Sequence, residues 1–162
     1  VTRFDQLLSV LVRHGVQFII VGGAAATVHG SARLTQDLDI VYHRTDENLE
    51  RLIRSLAPYQ PYLRGAPPNL PFKWNKETVQ AGLNFTLITS LGAIDLLGEI
   101  TGGGTYENLL PDSVQIQVFG IECMCLSLKR LIEVKKATGR VRDFEAIAEL
   151  EAILEEKKRS GI

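Results

Sequence analysis

Asp37 and Asp39 flank a single leucine in Thr35-Gln36-Asp37-Leu38-Asp39-Ile40-Val41, and thirteen residues separate them from the pair Gly22-Gly23. Leu38, Ile40 and Tyr42 alternate with Asp37, Asp39 and Val41, the pattern of a strand whose successive side chains point to opposite faces. Both carboxylates then share one face. With Cα atoms roughly 6.5–7 Å apart at strand rise, they can ligate one divalent ion or share two ions about 3.5–4 Å apart. Gly22-Gly23 follows an apolar run over residues 16–21 and opens an alanine-rich segment ending near Gly30. A strand, a glycine turn and a helix N-terminus make an anion site, because glycine lets backbone N–H groups approach a phosphate and the first helical turn has unpaired donors. Together the two features suit a triphosphate facing a divalent metal.

Two-metal chemistry calls for a further carboxylate, and Asp95 in Ile94-Asp95-Leu96 is the candidate. Residues 84–89 and 93–97 read as strands joined by Ser90-Leu91-Gly92, a short glycine-containing hairpin connection. Aspartate is depleted in strands and costly to bury unpaired, so its presence there needs a reason.

Gly22-Gly23, the thirteen-residue spacing, Asp37-Leu38-Asp39 and a later strand with Asp95 resemble the polymerase-beta-like nucleotidyltransferase superfamily. Arg33-Leu34-Thr35-Gln36-Asp37-Leu38-Asp39 is similar to the Arg-x-Thr-x-Asp-x-Asp form of small prokaryotic members, including nucleotidyltransferases related to abortive-infection toxin–antitoxin systems. Lys135-Lys136-Ala137-Thr138-Gly139-Arg140-Val141-Arg142-Asp143 resembles their Lys-rich helix followed by a (Lys/Arg)-Asp element, and the likeness runs from about Val16 to Leu150. Many members have Gly-Ser where this chain has Gly22-Gly23, which removes one phosphate-binding hydroxyl.

The resemblance implies an α+β fold, a small mixed β-sheet flanked by helices in the palm-like arrangement, with C-terminal helices. It implies Asp37, Asp39 and Asp95 as catalytic residues and ligands of Mg²⁺ or Mn²⁺, and a nucleoside triphosphate contacted by Gly22, Gly23, Arg33, Thr35 and either Lys135 or Lys136. The expected reaction moves a nucleoside monophosphate group to a hydroxyl of a protein, RNA or small molecule, with a partner protein from a neighbouring gene. Duller roles stand beside these. Arg33 also reads as a solvated loop cation, Thr35 as a strand start, and Lys129, Lys135, Lys136 and Arg140 either as positive charge that neutralises the leaving pyrophosphate or as a solvated helix face. His29 suits either a nucleotide contact or a cation at a helix C-terminus, and Trp74 either base stacking or loop packing.

Other classes are narrowed by composition. At 162 residues and 45% hydrophobic the chain can bury one core, so a single domain over 1–162 is expected, with its core over about 16–126 and C-terminal helices over 127–158. A net charge of −1 argues against a dedicated nucleic-acid coat. No apolar stretch approaches 18 residues and no signal pattern opens the chain, which predicts a soluble cytoplasmic protein without a membrane partner. Cys123 and Cys125 lack a second pair to complete a zinc site and read as buried free thiols.

The positioning elements follow from periodicity. Phe4, Leu7, Leu8, Leu11 and Val12 predict an amphipathic helix stopped by Gly15, and Leu49, Leu52, Ile53, Leu56 and Ala57 a second, capped by Thr45 or Asp46 and ended by Pro58. Five prolines between 58 and 72 predict a loop, a candidate lid or acceptor-binding segment as readily as a plain surface connection. Strands are expected over 114–119 and 121–126 turning near Gly120, with Gly102-Gly103-Gly104 in a loop, a helix from the Ser127 cap to Ala137 ended by Gly139, and a last helix over 143–157.

A reading of a different class fits the same residues: a non-catalytic regulatory or antitoxin-like module that keeps the fold and binds a protein. A metal hydrolase using the same aspartates is a third reading, without a nucleophile motif to support it.

Overall fold

The computed structural model describes residues 1–161, except the side chain of Arg142. In chain order the elements are α1 (Phe4–Arg13), β1 (Phe18–Ile20), α2 (Gly22–Val28), β2 (Asp37–Tyr42), α3 (Asp46–Leu56), β3 (Tyr62–Leu63), α4 (Lys76–Ala81), β4 (Asn84–Thr89) and β5 (Gly92–Leu97). They continue with β6 (Glu99–Ile100), β7 (Gly104–Thr105), α5 (Tyr106–Leu109), β8 (Ser113–Val118), β9 (Ile121–Leu126), α6 (Leu128–Thr138) and α7 (Phe144–Arg159). Seven strands form one mixed sheet in the order β3-β4-β5-β2-β1-β9-β8, with β6 and β7 as a separate ribbon. β2 runs parallel to β5, and β1 parallel to β9, while the remaining pairs are antiparallel. This is an α+β fold in which the Asp-x-Asp strand lies at the middle of the sheet.

The core explains that placement. Ile19, Ile20, Leu38, Ile40, Val41, Ile94 and Leu96 are almost wholly buried, and a strand apolar in this way belongs inside a sheet. Asn48 is fully buried yet satisfied: its amide donates to the Gln17 and His43 carbonyls and accepts the Gln17 N–H, which ties the start of α3 to the flanks of β1 and β2. Thr45 caps α3 by accepting the Asn48 N–H, and Ser127 caps α6 by accepting that of Arg130.

Several expectations are corrected. Val10 rather than Val12 is buried on α1, since α1 meets both α3 and β9 and so buries a wider stripe than the five-residue pattern implies. The proline-rich stretch is not all loop: Pro61 precedes the short edge strand β3, where its missing N–H costs no ladder bond. β5 begins at Gly92, which pairs with Thr89, so the β4–β5 connection is two residues long. Gly104 belongs to β7 instead of a loop. Phe119 and Gly120 form the β8–β9 turn, both at positive φ (53° and 73°), as a two-residue hairpin turn requires. Among the described residues no helix is long and apolar enough to cross a membrane.

Candidate functional site

The register of β2 against β5 builds the site. Asp39 and Asp95 are direct partners across the parallel pair, and Asp37 stands opposite Ala93. One carboxylate oxygen from each of Asp37, Asp39 and Asp95 lies within 4.8 Å of the others. Leu38, Ile40, Ile94 and Leu96 point away from the carboxylates into the core and hold both strands. At the strand starts, the Thr2 hydroxyl donates to the Gln36 carbonyl and accepts the Ala93 N–H.

Asp39 resists ionisation in this setting. Burial, then the adjoining carboxylates of Asp95 and Asp37, push Asp39 up to about 7, against the pull of the Gly23 N–H. Charge in the site is answered by Arg64, whose Nη2 lies 2.6 Å from Asp95 Oδ1 and donates to the Leu87 carbonyl at 2.8 Å, while Nη1 lies 3.3 Å from Asp37 Oδ2. No spacing signal in the sequence points to Arg64. It lies in the proline-rich stretch, and only the pairing of β3 with β4 brings it to the carboxylates.

The glycine turn is fitted to Asp39. Gly22 has φ +61°, and a Cβ there would stand 2.3 Å from Asp39 Oδ2. A Cβ on Gly23 would meet Thr35 Oγ1 at 2.9 Å, and that hydroxyl donates to the Asp37 carbonyl. A side chain at either position would have to displace Asp39 or Thr35, and at Gly22 the left-handed backbone adds strain.

A cleft of about 510 Å³ opens beside the turn, lined by Gly22, Gly23, Asp39, Asp95, Lys135 and Arg140 among others. That volume accommodates a small-molecule ligand. Lys135 faces the cleft, whereas Lys136 pairs with Glu151 at 2.6 Å and, like Lys129, lines a separate surface depression between α6 and α7. Arg33 is turned to α7, with Nη2 3.3 Å from Glu145 and Nε 4.0 Å from Glu149. Arg33, Thr35, Gly23 and Lys135 do share a smaller cavity at the edge of the cleft. The side chain of Arg142 lies outside the described residues.

Other candidates are placed elsewhere. His29 donates from Nε2 to the Leu126 carbonyl at 2.7 Å, and burial lowers its pKa, so it is a neutral tie between α2 and β9 rather than a helix-end cation. Trp74 packs against the core and donates to the Ile53 carbonyl at 3.0 Å. Cys123 and Cys125 are free and buried, and burial pushes their thiols up to about 11 and about 12.

An all-oxygen anionic donor set of this size fits a hard divalent cation such as Mg²⁺ or Mn²⁺. The bridging guanidinium of Arg64 shows that the site accommodates positive charge between Asp37 and Asp95.

No protein-family model matches the sequence and no curated protein matches it. Solved structures do match in shape. A protein from Thermotoga maritima provisionally assigned as a nucleotidyltransferase shares 15% identity over 89% of this chain and 87% of its own, with a TM-score of 0.57. The lincosamide antibiotic adenylyltransferase LnuA, bound to lincomycin, shares 16% identity over 94% of this chain and 98% of its own, with a TM-score of 0.61. The chain has the nucleotidyltransferase fold.

Proposed function

We propose that this protein transfers a nucleoside monophosphate group from a nucleoside triphosphate to a hydroxyl of an acceptor. The observation that carries the reading is the meeting of Asp37, Asp39 and Asp95 beside the Gly22-Gly23 turn, at the mouth of a cleft that also holds Lys135. Asp37, Asp39 and Asp95 would hold the divalent ions. When bound, such ions activate the attacking hydroxyl and neutralise charge on the triphosphate.

The residues divide the work by position. The acceptor oxygen forms a bond to the α-phosphorus, the bond between that phosphorus and the β-bridging oxygen breaks, and pyrophosphate leaves. Asp95, which stands opposite Asp39 and lines the cleft, takes the hydroxyl proton. Lys135 and Arg140, on the cleft wall, attract the β- and γ-phosphates and offset the charge of the leaving pyrophosphate. Gly22 and Gly23 keep the wall thin, so that the triphosphate approaches the backbone.

ATP and a small-molecule hydroxyl are the first substrates to test, because LnuA, which matches almost end to end, is an adenylyltransferase with an antibiotic bound. Protein and RNA acceptors belong to the same test, as does a partner from a neighbouring gene. The experiment is transfer of label from each α-³²P nucleoside triphosphate, with Mg²⁺ or Mn²⁺, to the small-molecule, RNA and protein fractions of a host lysate. Label that appears with the wild-type protein and disappears in Asp37→Ala/Asp39→Ala supports the reading and identifies the acceptor class. Failure to label any fraction, with folded protein and the neighbouring gene product present, overturns it in favour of a non-catalytic binding module.

A further inference from the structure

Arg64 reaches the carboxylates although no motif contains it. It follows β3, an edge strand of two residues, and its own N–H donates to the Thr86 carbonyl at 2.9 Å. The backbone is thus anchored to β4 while the side chain crosses beneath β4 to the carboxylates, touching the Leu87 carbonyl on the way. Its two terminal nitrogens take different carboxylates, Asp95 Oδ1 at 2.6 Å and Asp37 Oδ2 at 3.3 Å, and leave Asp39 between them without a guanidinium contact.

Two properties of this contact matter. A guanidinium is charged at every accessible pH, so in this pose it offsets part of the negative charge of the trio. It also occupies carboxylate oxygens that an ion bridging Asp37 and Asp95 would need. Nε has no hydrogen-bond partner among the described residues, so the pose uses only part of the guanidinium's donor set.

We propose that Arg64 is an internal counter-ion that competes with the divalent ion for Asp37 and Asp95. Metal loading then requires the guanidinium to withdraw, and Arg64 sets the apparent metal affinity of the site. The inference rests on the reading of the three aspartates as metal ligands. Without metal, Arg64 holds Asp37 and Asp95 together and offsets their repulsion. With metal, that role passes to the ion and Arg64 is released on the side of the sheet where β3 and the proline-rich stretch lie. The apparent affinity of a site whose competent state is only fractionally populated falls by that fraction. Removing the competitor therefore tightens metal binding.

The test is Mn²⁺ titration, followed by the paramagnetic resonance signal of free Mn²⁺, for wild type, Arg64→Met and Arg64→Lys, with circular dichroism to check folding and Asp39→Ala to identify the site. Charge-assisted hydrogen bonds of this kind predict binding roughly tenfold tighter in Arg64→Met. Arg64→Lys, which keeps a charge and loses the fork, is expected in between, and carries the test alone should the methionine variant not fold. Equal or weaker Mn²⁺ binding in the folded variants overturns the proposal and leaves the metal reading intact. Absence of Mn²⁺ binding in wild type and variants alike overturns both.

Discussion

Asp39 and Asp95 face each other directly across a parallel strand pair, and burial together with the adjoining Asp95 carboxylate pushes Asp39 up to about 7. Two carboxylates in that register repel once both ionise. Much of the behaviour of the protein in solution follows from how that repulsion is relieved, by a proton, by Arg64 or by a divalent ion.

Divalent metal should stabilise the fold. An ion present at roughly ten times its dissociation constant adds about 1.4 kcal/mol, a rise of about 3–6 °C in Tm for a domain of this size. Thermal melts with millimolar Mg²⁺ should show this for wild type, and Asp37→Asn should show less of it. A wild-type Tm indifferent to Mg²⁺ and Mn²⁺ would contradict the metal assignment.

A pH effect of defined sign follows from Asp39. Its pKa is raised in the folded protein, so the native state binds more protons than the unfolded state between about pH 4 and 7. The contribution of this group to stability is present in full below the unfolded pKa and is lost as pH rises through about 7. Asp39→Asn cannot ionise there. In metal-free buffer the Tm of the variant relative to wild type should therefore climb from pH 5 to pH 8, and a difference that stays flat would show that Asp39 titrates normally.

Gly22→Ala should disrupt the site more than a glycine substitution elsewhere. Its left-handed conformation alone costs about 1–2 kcal/mol, and the added Cβ would collide with the Asp39 carboxylate. Gly120, in the β8–β9 turn, is also left-handed (φ +73°) but has open space around it, so Gly120→Ala measures the conformational cost by itself. Denaturant unfolding should find Gly22→Ala the less stable of the two, and Mn²⁺ titration should find binding impaired only there.

Adjacent lysines should separate cleanly. Lys135→Ala removes a cation from the cleft wall and is expected to weaken nucleoside triphosphate binding about tenfold. Lys136→Ala breaks only a half-exposed ion pair with Glu151, worth at most about 1 kcal/mol, and should leave nucleotide binding unchanged. Equilibrium binding of a non-hydrolysable ATP analogue distinguishes them, and equal losses would relocate the phosphate site.

Both cysteines should resist thiol reagents. With thiols raised to about 11 and about 12 and side chains buried, reaction with a disulfide reagent at pH 8 should be slow in native buffer and fast in denaturant. Rapid native labelling would mean that β9 opens readily.

Much of the fold was legible because periodicity and chemical punctuation are local. α1, α3, α6 and α7 follow from apolar residues at helical spacing with caps at Thr45 and Ser127, the strand of Asp37 and Asp39 from its alternation of apolar and acidic residues, and that of Asp95 from a short apolar run after a glycine-containing turn. The trio was legible for a similar reason, since a carboxylate inside an apolar strand is expensive unless something cationic meets it.

What the chain alone determined, then, was which residues carry acid charge on a strand, where the backbone must turn, and which helices have an apolar face. Tertiary structure decided the rest, because it depends on pairings between distant segments. Only the parallel register of β2 and β5 sets Asp39 opposite Asp95. Only the packing of α7 on α6 turns Lys136 to Glu151 and leaves Lys135 at the cleft, although the two are neighbours in sequence. Arg64 is the clearest case: a cation with no pattern around it becomes the counter-ion of Asp37 and Asp95 because two residues of edge strand pair with β4, and side-chain charge is felt across space rather than along the chain.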